Sequence, residues 1–218
     1  MFQKESFPSI SKITGGIMLH ILELNRDEKK YDGIVTKICE SKDKNTRILY
    51  FNLSKNNEEI PPHIHPQGED SAYVLQGSLS YYIDLDECIT VKAGELVTGW
   101  SNVIHDYKNV SENNVRFLVF ATPEDNLTVY PSIDSSQIVK IPIQERHFLC
   151  LDNKVKIASN FTTYNTIEIS GIYYEEKEDV FKVFLDLANN VLYTFEDEAV
   201  VIESLTPKRF LRFSERKI

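Results

Sequence analysis

His63 and His65 flank Ile64 in the run Pro61-Pro62-His63-Ile64-His65-Pro66-Gln67-Gly68-Glu69. Side chains two apart on an extended strand leave the same face, so both imidazoles project into one space and Ile64 turns away. The Pro66-Gln67-Gly68 bend lets the next strand fold back, which returns the Glu69 carboxylate to the two rings. Two neutral imidazoles and a carboxylate suit a first-row divalent metal. His105 supplies a third imidazole, just ahead of the apolar strand Arg116–Phe120. Of the five histidines in the chain, three lie in these two segments. His20 and His147 are read as ordinary structural residues.

The two segments resemble the two motifs of the cupin superfamily. His63, His65, Glu69 and Gly77 match the first motif, with the glycine one residue later than usual. Gly94, His105 and Asn109 match the second. The Pro-x-Gly that usually precedes that histidine is replaced by Trp100-Ser101-Asn102. The resemblance covers roughly residues 33–122. It implies a jelly-roll β-barrel, a mononuclear metal centre of His63, His65, Glu69 and His105, and a homodimer. Fe, Mn, Ni, Co and Zn are all compatible with such ligands. A six-coordinate ion would keep about two positions open for water or substrate, which separates a catalytic site from a structural one. The function implied is a metal-dependent enzyme on a small polar substrate, of oxygenase, decarboxylase, lyase or isomerase type. The alternatives are a non-catalytic metal or small-molecule sensor and a structural β protein with a vestigial site. The fold hosts many chemistries, so it does not select among them.

Further groups could line such a pocket. Tyr73 stands four residues past Glu69, an even offset that places both on one strand face, and its phenol could serve as acid or base. Glu69 and Tyr73 are therefore the catalytic candidates. Trp100, Tyr82, Arg47 and Gln67 are the substrate-pocket candidates, Trp100 as a wall and Arg47 as an anchor for an anionic substrate. Tyr107 is a weaker candidate, and Asn109 is read as a turn residue.

These residues sit among short β-like runs. Residues 17–24, 33–39, 46–53, 71–75, 79–84, 88–91, 96–98, 105–108 and 115–121 read as strands with almost no helical period, the signature of a sandwich or barrel. Gln76-Gly77-Ser78 is a tight hairpin turn, and Pro61-Pro62 holds the backbone extended ahead of the ligands. Thr122-Pro123 to Asn126 marks a boundary. It divides the chain into a barrel over 1–125 that carries the metal site and a C-terminal β module over 126–218. The second part reads as strands at 137–142, 147–151, 155–158, 166–174, 180–187, 191–195, 199–202 and 210–213, with a turn at Asn189-Asn190. Two readings of it stand: a second barrel that has lost its ligands, or an extension of the first barrel's sheets. The fold class is all-β.

Composition narrows the functions. The 218 residues are 42% hydrophobic, enough for a core, and include 11 Tyr and 12 Phe, residues favoured in strands. The net charge of −9 is spread over both parts with no basic stripe, which argues against nucleic-acid binding. Three cysteines, Cys39, Cys88 and Cys150, have neither the spacing of a zinc clip nor that of a disulfide framework. The apolar cluster at 17–22 is too short to span a bilayer and no basic leader precedes it, so a cytoplasmic protein that does not bind membranes is expected. No phosphate loop, nucleophile elbow or dinucleotide fingerprint is present.

Overall fold

The run Val115–Thr122 shows how the chain is layered. All of its residues but Arg116 are buried, so it has two dry faces where an alternating strand has one. Phe117, Val119 and Ala121 enter one apolar cluster, and Leu118 and Phe120 enter another. A computed structural model describes residues 20–24, 34–54, 58–84, 87–123, 128–131, 139–151 and 154–216, and among them every regular element is a strand except a single 3₁₀ turn at Ile143–Glu145.

The strands form three antiparallel sheets. The first is ordered β11 (His147–Leu149), β8 (Glu95–Gly99), β5 (Glu69–Gln76), β10 (Val115–Thr122), β3 (Arg47–Leu53) and β2 (Val35–Glu40). The second is β4 (Glu59–His63), β9 (His105–Asn109), β6 (Ser78–Asp84) and β7 (Glu87–Lys92). These two enclose the jelly-roll barrel, filled by Leu53, Val74, Tyr81, Val97, Tyr107 and Phe117 among others. The third sheet is β1 (His20–Glu23), β15 (Val191–Glu196), β14 (Phe181–Asp186), β16 (Val200–Glu215), β13 (Thr162–Glu175) and β12 (Lys156–Ala158).

The first and third sheets share a core. Tyr50, Tyr73, Leu118 and Phe120 meet Tyr164, Val183, Leu185, Leu211 and Phe213 in one cluster. Each half also lends a strand to the other: β11 pairs with β8, and β1 pairs with β15. Polar ties cross the same seam. Thr46 donates its hydroxyl to Glu215, and the Lys42 amide donates to both oxygens of Glu196. Phe213 is fully buried and stacks on Phe120 at 5.2 Å. We therefore expect Phe213→Ala to cost about 3–5 kcal/mol, as a large ring lost from a dry core does. Denaturation followed by Trp100 fluorescence, which reports on the first half, should shift together with far-UV circular dichroism.

Several sequence expectations change shape. Residues 199–202 and 210–213 read as two strands but belong to one, β16, which pairs with β13 along its length except at a bulge. Residues 205–207 bulge out opposite Ser170, so Pro207, which lacks an N–H, sits where the ladder asks for no donor. The expected strand at 137–142 is, over its described residues, an isolated bridge from Val139 to Val103 followed by the 3₁₀ turn. The extended backbone expected at Pro61-Pro62 is part of β4, where both prolines fall within its irregular register against β9. Turns at Gly77 and Asn190 stand where expected, both with positive φ. Asn109 ties a turn as expected, donating to the carbonyls of Leu53, Ser54 and Asn113. Cys39 and Cys150 are buried, Cys88 is exposed, and all three are free thiols. Among the described residues no helix is long and apolar enough to cross a membrane.

Candidate metal centre

His63 ends β4 and His105 opens β9, and the two are register partners. His65 follows two residues after His63, beyond Ile64, which bridges to Val129 on the other side. The three rings therefore meet, with centroids 4.9 Å apart for His63–His65, 4.4 Å for His63–His105 and 5.4 Å for His65–His105. All three are buried.

The carboxylate that joins them is Asp70, not Glu69. Ligand atoms of His63, His65, Asp70 and His105 all lie within 4.8 Å of one another. Asp70 Oδ2 is 3.1 Å from His65 Nε2, and Asp70 Oδ1 is 2.7 Å from His105 Nε2. Parity on β5 explains the exchange. Consecutive residues face opposite ways, so Asp70, Ala72 and Val74 look into the barrel while Glu69, Ser71 and Tyr73 look toward the third sheet. Glu69 is tied there, its Oε1 accepting hydrogen bonds from the hydroxyls of Ser159 and Thr162. Tyr73 shares that face, as its even offset predicts, and is packed in the seam core away from the rings. Burial pushes its phenol well above the usual range, which does not suit an acid or base at the rings. The late position of Gly77 was the available signal: counting the usual distance back from it lands on Asp70.

The same parity corrects Tyr82. Tyr81 faces the barrel and lies parallel to the His105 ring at 5.9 Å, whereas Tyr82 takes the opposite face and uses its amide to bond Asp106. Gln67 is exposed on the turn. Trp100 is partly buried and packs against the seam core, not the rings. Arg47 starts β3 on the face of Leu49 and Phe51. It lies in the cross-strand row Arg47, Ala121, Asp70 and Gly99. His147 pairs with Glu95 at 2.7 Å, outside the cluster.

The residues fit a metal. His63 Nδ1 donates to the Pro61 carbonyl at 2.8 Å and His105 Nδ1 donates to the Val103 carbonyl at 3.0 Å. Those bonds fix the tautomers and leave each Nε2 as a lone pair. His105 Nε2 is buried and no aligned hydrogen bond reaches it, although Asp70 is close. Two groups that lie near each other without bonding are what a shared ion would hold. A bond of about 2.1 Å puts opposite ligands about 4.2 Å apart, close to the spread observed. Burial lowers the His63 ring to about 4, helped by the nearby His105, so it is neutral at pH 7. Burial alone would raise Asp70, but His105 and His65 outweigh it and hold the carboxyl well below the usual range. A buried carboxylate is costly unless a cation or hydrogen bonds meet it.

Neighbours brace the cluster. Tyr107 is buried and donates its hydroxyl to Asp70 Oδ1 at 3.1 Å. Removing it frees one carboxylate oxygen to turn, so Tyr107→Phe should weaken metal binding about 10- to 100-fold, measured by competition with a chelator. Arg146, from the far half of the chain, is fully buried. Its Nη2 donates to Tyr81 Oη at 3.0 Å and to the Ile104 carbonyl at 3.2 Å, and its Nε to the Thr98 carbonyl at 3.3 Å. It thus locks both the ring beside His105 and the peptide just before it. Nothing local in the sequence marks Arg146, because its partners lie 42 to 65 residues away.

Residues 49–121 match the family model described as a cupin domain. No similar sequence was found among curated proteins. A crystal structure of the salicylate 1,2-dioxygenase of Pseudaminobacter salicylatoxidans is similar over 94% of this chain and 85% of its own, with a TM-score of 0.70 and 10% identity. A point mutant of the same enzyme gives 0.69 at 8% identity, over 93% and 84%. Its adduct with gentisate gives 0.67 at 9% identity, over 90% and 80%. At such identities the likeness is one of fold, and it extends over both halves. The buried cluster thus sits inside the segment that matches the cupin domain.

Proposed function

We infer that the chain is a metal-dependent enzyme acting on a small anionic substrate, with His63, His65, Asp70 and His105 as the ligands. The convergence of three imidazoles, two of them held in one tautomer by backbone carbonyls, and one strongly acidic carboxylate in a buried space carries this reading. When bound, a divalent ion supplies Lewis acidity there and, if redox-active, dioxygen chemistry. The chain's own residues do the rest. Tyr107 and Arg146 hold Asp70 and the His105 peptide in place. Asp70 gives the cluster a single formal negative charge, so a loaded centre is net cationic and favours an anion.

Arg47 is the chain's anchor for that anion. It stands two strands from Asp70 on the same face, about 10 Å away by sheet spacing. Its Nε is buried without a hydrogen-bond partner among the described residues. A small aromatic acid spans such a gap, and the structural neighbours are dioxygenases of one. Residues 1–125 then carry the chemistry, and 126–218 buttress it.

The test is oxygen uptake by protein reconstituted with Fe(II), using salicylate and gentisate. Uptake should vanish in His63→Ala, and Arg47→Gln should raise KM about tenfold or more with a smaller change in kcat. Folded protein that retains no metal, or turnover unchanged in His63→Ala, overturns the reading. Stoichiometric metal without turnover in oxygenase, decarboxylase, lyase and isomerase assays favours a sensor instead.

A further inference from the structure

A cavity of about 710 Å³ opens beside Glu69, and none of the four cluster residues lines it. Its walls include the rings of Trp100, Phe148 and Phe161 and the carboxylates of Glu69 and Glu145. Glu69 is 1% exposed, so it forms the deep end, while Glu145 is on the exposed rim. Both hydroxyl bonds to Glu69, from Ser159 and Thr162, converge on Oε1. Neither of these bonds uses Oε2, and the same carboxylate lines the open cavity. A carboxylate oxygen on the wall of a cavity can accept from a cationic donor that enters it. Arg216 also lines the cavity but is exposed and spends its Nη1 on the Ser159 carbonyl.

We propose that this cavity is a second ligand site, distinct from the metal centre, that takes a small organic ammonium bearing an apolar group. The ammonium donates to Glu69 Oε2, and the apolar group lies among Trp100, Phe148 and Phe161, whose ring faces also favour a cation. The Glu69 and Glu145 carboxylates among Trp and Phe walls disfavour a carboxylate ligand by like charge. Parity on β5 gives the two sites their relation: adjacent residues, Glu69 and Asp70, each serve one.

Trp100 is the only tryptophan, so its fluorescence reads the cavity directly. Metal-loaded protein is titrated with benzylammonium, benzyl alcohol and benzoate. Benzylammonium should give a saturable change, with the alcohol weaker and benzoate without effect. Glu69→Gln should weaken benzylammonium about tenfold or more, the loss of one charge-assisted bond. His63→Ala, which removes the metal, should leave it within about twofold. If Glu69→Gln does not fold, Glu145→Gln on the exposed rim should still weaken the amine more than the alcohol. The proposal is overturned if no saturable change occurs, if benzoate or the alcohol matches the amine, or if binding is lost with the metal in His63→Ala. That last result would place the amine on the metal, and it leaves the metal-centre reading intact.

Discussion

Asp70→Asn should lose tight metal binding, by about 100-fold or more, while Glu69→Gln keeps the metal in stoichiometric amount. Asn retains the shape of Asp70 and its contact with Tyr107 but removes the one carboxylate from a site whose other members are imidazoles. Loss of a supporting partner alone costs 10- to 100-fold in such centres, and loss of a charged ligand costs at least as much. Glu69 faces the other way and holds Ser159 and Thr162 across the seam. Its substitution should therefore tell in stability and not in metal content. Metal analysis after gel filtration, with a chelator competition for the affinity, separates the two. Equal loss in both variants would contradict the assignment of Asp70.

Gly99→Ala should be the most damaging single-methyl change in the barrel. Gly99 pairs with Asp70 across the β5–β8 ladder. A Cβ there would lie 2.2 Å from the Asp70 carbonyl oxygen, 2.7 Å from Asp70 Oδ1 and 3.0 Å from His105 Cε1. The first of these is backbone in a central strand and cannot swing aside. Overpacking of this kind costs about 1–3 kcal/mol where a core can adjust, and here the adjustment must move two ligands at once. The expected result is a lower melting temperature together with loss of metal. Gly171→Ala is the control, since nothing lies within 4 Å of a Cβ at that site and only its positive φ opposes the change. If Gly99→Ala binds metal normally, the close approach of β8 to the cluster is not what shapes it.

The residues that were legible in the sequence are those fixed by short-range geometry. Two imidazoles two residues apart on an extended segment must share a side, and His63 and His65 do. Many short runs with period two signal an all-β chain, and the sheets follow. The errors are errors of parity and of distance. Choosing Glu69 over Asp70, or Tyr82 over Tyr81, shifts by one residue a pattern whose period is two, which inverts the face. A strand with both faces buried, such as β5, has no solvent side to betray its phase. Arg146 was illegible for another reason: its role depends on β11 crossing from the second half to complete the first half's sheet. Tertiary pairing of that kind leaves no local periodicity to read.

The loan of β11 also sets an order of events during synthesis. The peptide that carries His105 relies on a guanidinium placed 41 residues later in the chain, and the sheet behind Asp70 is one strand short until residue 149 has emerged. Nascent chains fold as their parts become available. A chain arrested near residue 125 would hold the three imidazoles and the acid without Arg146 or β11 beside them, so the cluster is fully braced only once residue 149 has been made.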